Sequence, residues 1–164
     1  MTVRLDLILL RHGQAEDLCL GQDDHSRKLT KTGRDEASAT ARGLSARALI
    51  PGIILSSDAQ RTRDTSEEVA GILGPKSPSV VLDPHLYHAS LQSILSLLAK
   101  RLEGHARALV IGHNPTLSQL VGFLTGERTQ LATAEAAHLS VDGLAWAPAL
   151  AAPGIWTLEG VWRG

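Results

Sequence analysis

One cysteine, Cys19, stands in a chain of 164 residues. It can form no disulfide within the chain, and it points to a reducing compartment, with the cytoplasm as the expected location. No motif surrounds Cys19, which reads as a bystander rather than a nucleophile. Aromatic residues are scarce at 3%, so the core must be built from Leu, Ile, Val and Ala. Neither sign of charge prevails: 16 Lys and Arg against 17 Asp and Glu leave a net charge of −1. Without a basic face, neither broad nucleic-acid binding nor binding to a membrane surface is expected. No apolar run has the length of a membrane span or the form of a signal peptide. The amino-terminal run carries Arg4, Asp6 and Arg11 within and beside it. What is present is a globular balance of 43% hydrophobic and 20% charged residues, at a length that fits one domain, 1–164.

Strand and helix patterns alternate along the chain. The run Leu5 to Leu10 reads as a buried parallel strand. Gln14 to Lys28 is polar and reads as a loop over the end of the sheet. Thr30 is placed to cap a helix whose apolar stripe is Ala37, Ala41, Leu44 and Ala48, ended by Pro51-Gly52. Ile53 to Leu55 is a second strand, with a helix from about Ala59 to Leu73. Val80 to Leu82 is a third strand. Ser90 caps a helix to about Leu102, with Leu91, Ile94, Leu95 and Leu98 on one face. Ala108 to Ile111 is a fourth strand, and a helix follows from Thr116 to Leu124 with Pro115 near its first turn. Further on, His138 to Val141 and Ile155 to Leu158 read as strands, and the Ala/Pro-rich stretch Ala145 to Pro153 as a surface connection. The alternation predicts a three-layer α/β/α sandwich with a mostly parallel central sheet.

In such a sheet, ligands bind beyond the carboxyl ends of the strands. Strand one ends in Arg11-His12-Gly13, strand two leads to Arg61 in the first turn of its helix, and strand four ends in Gly112-His113-Asn114. Parallel strands point these ends the same way, so two arginines and two histidines can converge. The cluster contains no carboxylate, which suits an anion. The guanidinium fork matches phosphate oxygens, and a helix amino terminus adds donors. A neutral imidazole can attack phosphorus as a covalent nucleophile, and neighbouring cations favour that neutral form. The arginines and the second imidazole would hold the charge on the transferring group.

Four segments resemble the histidine phosphatase superfamily, whose fold is phosphoglycerate mutase-like. They are Leu10-Arg11-His12-Gly13, Leu29-Thr30-Lys31-Thr32-Gly33, Ser57-Asp58-Ala59-Gln60-Arg61-Thr62 and Ile111-Gly112-His113-Asn114-Pro115. The resemblance implies that His12 is the nucleophile that becomes phosphohistidine and that Arg11, Arg61 and His113 complete the phosphate pocket. Water then hydrolyses the phosphoenzyme. It implies no metal and no organic cofactor. The short length and the segment Asp24-His25-Ser26-Arg27-Lys28-Leu29-Thr30 are similar to the SixA-type phosphohistidine phosphatases, which lack large insertions over the site. Arg27 matches an arginine of that branch and has two readings, a phosphate contact or a solvated loop residue. Gly13 is read as giving backbone access to the phosphate.

Many members of the superfamily carry a glutamate acid after the third strand. Here the stretch is Leu86-Tyr87-His88. An ester needs a proton on its departing oxygen, whereas a phosphoramidate has a better leaving group. The missing acid therefore fits a phosphohistidine substrate. His88 is either a weak donor in its place or a surface histidine. His85 and His88 have no third ligand nearby, so they are not read as a metal pair. The expected partner is a phosphorylated protein, such as a histidine phosphotransfer domain of a signalling relay. The alternatives are a small phosphorylated metabolite with the same chemistry, or a module that binds phosphate without turnover.

Overall fold

The computed structural model describes residues 3–164; residues 1 and 2 of the expected domain lie outside the described part. Six strands form one sheet: β1 (Arg4–Arg11), β2 (Ile53–Ser56), β3 (Val80–Leu82), β4 (Arg107–Gly112), β5 (Ala136–Asp142) and β6 (Thr157–Trp162), in the order β3-β2-β4-β1-β5-β6. The strands β3, β2, β4 and β1 run parallel, while β5 and β6 are antiparallel additions at one side. The helices are α1 (Lys31–Ala46), α2 (Gln60–Leu73), α3 (Leu91–Arg101), α4 (Thr116–Thr125) and α5 (Trp146–Ala151).

The run along β1 explains why this strand sits deep in the sheet. Leu5, Leu7 and Leu9 join a core with α3, α4 and α5, while Ile8 and Leu10 join a second core with α1 and α2. Both faces of the strand are therefore dry, as the unbroken apolar run implies. Asp6 is the exception. It is buried in the same strand and is satisfied by His138 at 2.7 Å, Arg4 at 3.2 Å and Arg107 at 3.2 Å. A buried carboxylate without such partners would be strongly destabilising.

Three local features differ from the sequence reading. Helix α1 ends at Ala46, and Ala48 lies exposed beyond it at φ 55°. The turn brings Leu49 N–H back to the Leu44 carbonyl at 2.9 Å, so Leu49 takes the buried position expected of Ala48. The stretch read as a surface connection contains α5, whose Trp146, Ala149 and Leu150 are buried. Pro148 is tolerated there because the first N–H groups of a helix have no partner within it. The last strand begins at Thr157, two residues later than Ile155, which is left 41% exposed. On α3, Ile94 and Leu98 are buried, while Leu91 and Leu95 are only partly covered.

The loop leaving β1 lies directly on the start of α1. Thr30 caps the helix, its hydroxyl accepting from Gly33 N–H at 3.0 Å. A Cβ on Gly13 would lie 2.3 Å from the Gly33 carbonyl oxygen, and one on Gly33 would lie 2.0 Å from the Gln14 carbonyl oxygen. Alanine is favoured over glycine in a helix by roughly 0.8–1.0 kcal/mol. Overlap with rigid backbone outweighs that gain, at about 1–3 kcal/mol. Gly33→Ala should therefore lower the thermal midpoint by several degrees, measured by circular dichroism.

Candidate active site

The site is assembled by strand register. Arg11 of β1 lies opposite Gly112 of β4, and Ser56 of β2 lies opposite Ile111. The ladder then continues one step past each strand. His12 N–H donates to the Gly112 carbonyl at 3.1 Å, and Ser57 N–H donates to the Ile111 carbonyl at 3.0 Å. His12, Ser57 and His113 are thereby brought side by side from three distant parts of the chain. The two imidazole centroids are 5.4 Å apart.

His12 is buried, and its Nδ1 lies 2.7 Å from the Gly13 carbonyl oxygen. A carbonyl can only accept, so Nδ1 carries the proton and the lone pair is left on Nε2. Burial lowers the His12 pKa to about 4, and the charges of Arg61, Arg11 and Arg27 act in the same direction. The bond to Gly13 opposes this shift without reversing it. His113 is lowered to about 3, first by burial and then by His12, Arg61 and His88. Its Nε2 lies 2.8 Å from the Ser57 hydroxyl oxygen, while its Nδ1 is buried with no partner. Both rings are thus neutral at pH 7.

The arginines surround this neutral pair. Arg11 donates from Nη1 to the Leu131 carbonyl at 3.0 Å, and Asn114 donates to the same oxygen at 2.8 Å. Arg61 is buried in the first turn of α2. Its Nη1 donates to the Asp24 carbonyl at 2.8 Å and its Nη2 to Asp24 Oδ2 at 3.1 Å. Arg27 is half-buried and paired with Asp24 at 3.2 Å. Its side chain is 23% exposed, and its charge acts on His12. Arg11 and Arg61 each retain a buried Nε with no acceptor, whereas the Arg27 Nε faces Asp24 Oδ1 at 3.2 Å; Arg107, far down β4, also has a buried Nε without an acceptor. Buried donors normally have partners, and two such donors beside two neutral imidazoles suit a ligand rich in acceptors.

Gly13 departs from its expected role. Its N–H donates to the Thr65 hydroxyl at 3.2 Å, so this donor is turned into the protein, and the absence of a Cβ serves the contact with Gly33. His88 is exposed at φ 56°, with its ring 3.9 Å from that of Tyr87. Together with Arg61, Tyr87, His113 and Gln119 it lines a cleft of about 330 Å3. His85 is engaged with Asp83 at 2.9 Å.

Asp24 and Tyr87 are the participants that the sequence reading did not single out. The Tyr87 hydroxyl donates to Asp24 Oδ2 at 2.6 Å, and its ring lies 5.5 Å from that of His113. Asp24 opens the segment similar to the SixA-type phosphatases, but nothing in the sequence assigned it a role of its own. Tyr87 occupied the stretch in which a carboxylate was sought. Larger hollows elsewhere, such as one of about 640 Å3 beside Val3, His105 and Trp146, are lined mainly by apolar surface. Charge, rather than size, marks the site.

Comparison with known proteins agrees with this geometry. Residues 7–94 match the profile of the histidine phosphatase superfamily (branch 1), and the chain belongs to that superfamily, a class of phosphatases. Within it the likeness is to the SixA-type phosphohistidine phosphatases. A protein of Nakamurella multipartitia described as a phosphohistidine phosphatase SixA superposes with a TM-score of 0.84 at 27% identity, covering 97% of this chain and 95% of its own. The protein histidine phosphatase SixA complexed with tungstate gives 0.81 at 26% identity, with 97% of both chains covered. An uncharacterised chloroplastic protein of Arabidopsis thaliana is 35% identical over 94% of this chain and 76% of its own length.

The lowered histidine values set a stability dependence. Below about pH 6.5 the unfolded chain takes up protons that the buried rings refuse, so native stability falls as the pH drops from 6.5 toward 4. His12→Asn should lose less stability than the parent between pH 7 and pH 4.5 in urea unfolding.

Proposed function

We propose that the protein removes phosphate from phosphohistidine on a partner protein, through a phosphohistidine intermediate on His12. The observation that carries this is the His12 tautomer: a neutral ring with the Nε2 lone pair free, held among arginines. Nε2 attacks phosphorus, the bond from phosphorus to the substrate nitrogen breaks, and its electron pair stays on the departing imidazole. Arg11, Arg61, Arg27 and His113 carry the charge of the transferring group. Water then forms the new P–O bond, the pair returns to Nε2, and orthophosphate leaves. Gly13 supports this pocket by packing.

Support for the nitrogen leaving group comes from the cleft. The residues just after β3 that border it are Leu86, Tyr87, His88 and Ala89, none of them a carboxylic acid. A substrate imidazole already protonated on its far nitrogen departs neutral and needs little help, with His88 as a weak donor. A histidine phosphotransfer domain offers such a group on an exposed surface. The exposed thiol of Cys19 suits a reducing compartment such as the cytoplasm. Among the described residues no helix is long and apolar enough to cross a membrane.

A second reading, a small phosphomonoester, is favoured by one feature: a cleft of about 330 Å3 is within the size range of small-ligand sites. Rates on a phosphorylated histidine phosphotransfer domain and on a panel of phosphate esters separate the two, with the protein substrate expected to win by kcat/KM.

Rapid-quench labelling should give an acid-labile phosphoenzyme with the parent chain and none with His12→Ala, whose turnover should fall by at least ~10³-fold. Arg61→Ala should cost roughly 10²–10³-fold. Chelation with EDTA should leave turnover unchanged.

A further inference from the structure

Asp24 brings a carboxylate into a cluster otherwise suited to anions. At about 3 Å from a guanidinium it offsets charge that a phosphoryl group would use. The geometry shows what it supplies in return. Asp24 grips Arg61 at the end of the fork, its carbonyl accepting from Nη1 at 2.8 Å and its Oδ2 from Nη2 at 3.1 Å. The same Oδ2 accepts from the Tyr87 hydroxyl at 2.6 Å. The next residue, His25, fastens this short turn to the start of α2 through Asp58 at 2.9 Å, and its ring meets Tyr87 edge-on at 4.9 Å. The carboxylate is therefore held from both of the loops that flank Arg61. With its end occupied, the guanidinium keeps free the edge that bears Nε, which is buried and has no acceptor.

We propose that Asp24 is a positioning residue for Arg61, oriented in turn by the Tyr87 hydroxyl, so that the side edge of the guanidinium meets the transferring phosphoryl group. This rests on the phosphatase reading above. The carboxylate is not the missing proton donor. The Tyr87 hydroxyl, Arg61 and Arg27 all hold it below its ordinary range, so it stays ionised. Its contribution is preorganisation: donors already aimed at the developing charge need no rearrangement during the reaction. Without Asp24 the Arg61 charge remains but the side chain can turn. Binding of the ground state then survives while the chemical step slows.

The test measures kcat and KM of the full chain on phosphoimidazole and on p-nitrophenyl phosphate, with circular dichroism melts to establish folding. Asp24→Ala should lower kcat about 10–100-fold with KM unchanged or reduced. Asp24→Asn, which keeps an oxygen acceptor, should recover part of that loss, and Tyr87→Phe should cost about 3–10-fold. In an Arg61→Lys background, which has no fork to orient, Asp24→Ala should cost less than about 3-fold. Equal losses in the two backgrounds, or an undiminished kcat in Asp24→Ala, would overturn the proposal. Should Asp24→Ala fail to fold, an unchanged kcat in Tyr87→Phe would overturn it alone. A parent chain inactive on both probes would strike the phosphatase reading instead.

Discussion

An imidazole kept uncharged among guanidinium groups is the constraint on which the rest of the site depends. His12 is 7% exposed and its ring is pinned by the Gly13 carbonyl, so burial and three nearby arginines act together against its protonation. The same cations that keep the ring neutral attract the anion it would attack. Taking up a proton would remove the lone pair that the proposed reaction uses, making His12 one more cation, and would leave a poorly solvated charge at a buried position. The proposed catalysis and the acid stability are therefore linked through one residue.

The sheet makes that arrangement reproducible. Parallel pairing of β2, β4 and β1 carries three chain segments to a common end, and the ladder extends one residue beyond the strands to fix His12 and Ser57 by their backbones. Behind them, the contact of Gly13 with Gly33 sets the path of the loop that leads on to Asp24 and Arg27. Arg61 then enters from α2, with Asp24 at its far end. Packing on both faces of β1 supplies the rigidity that such placement needs.

Much of this was legible in the chain. The apolar run from Leu5 to Leu10, the Thr30 cap and the residues just past three strand ends follow from local patterns, and the strand ends led to His12, Arg61 and His113. What local patterning could not show were contacts made between loops. Asp24 and Tyr87 are far apart in the chain and meet only because the loop after β1 and the turn after β3 both lie against Arg61. Gly13 was assigned to the phosphate because its partner Gly33 is invisible to a reading of the strand end alone. Helix α5 was missed for a compositional reason: an Ala/Pro stretch carries no periodicity, and its burial comes from Trp146 and Leu150 finding the core. The shift of the last strand has a similar origin, since Trp156 is buried just before the pairing begins.

The central claim is tested most directly by NMR of the chain with 15N-labelled histidine imidazoles, titrated from pH 7.5 to 3.5. The account requires the His12 signals to show a neutral ring protonated on Nδ1, with Nε2 bare, and to remain so until the pH approaches 4. A His12 ring that titrates near 6.5, or that carries its proton on Nε2 at neutral pH, would contradict it.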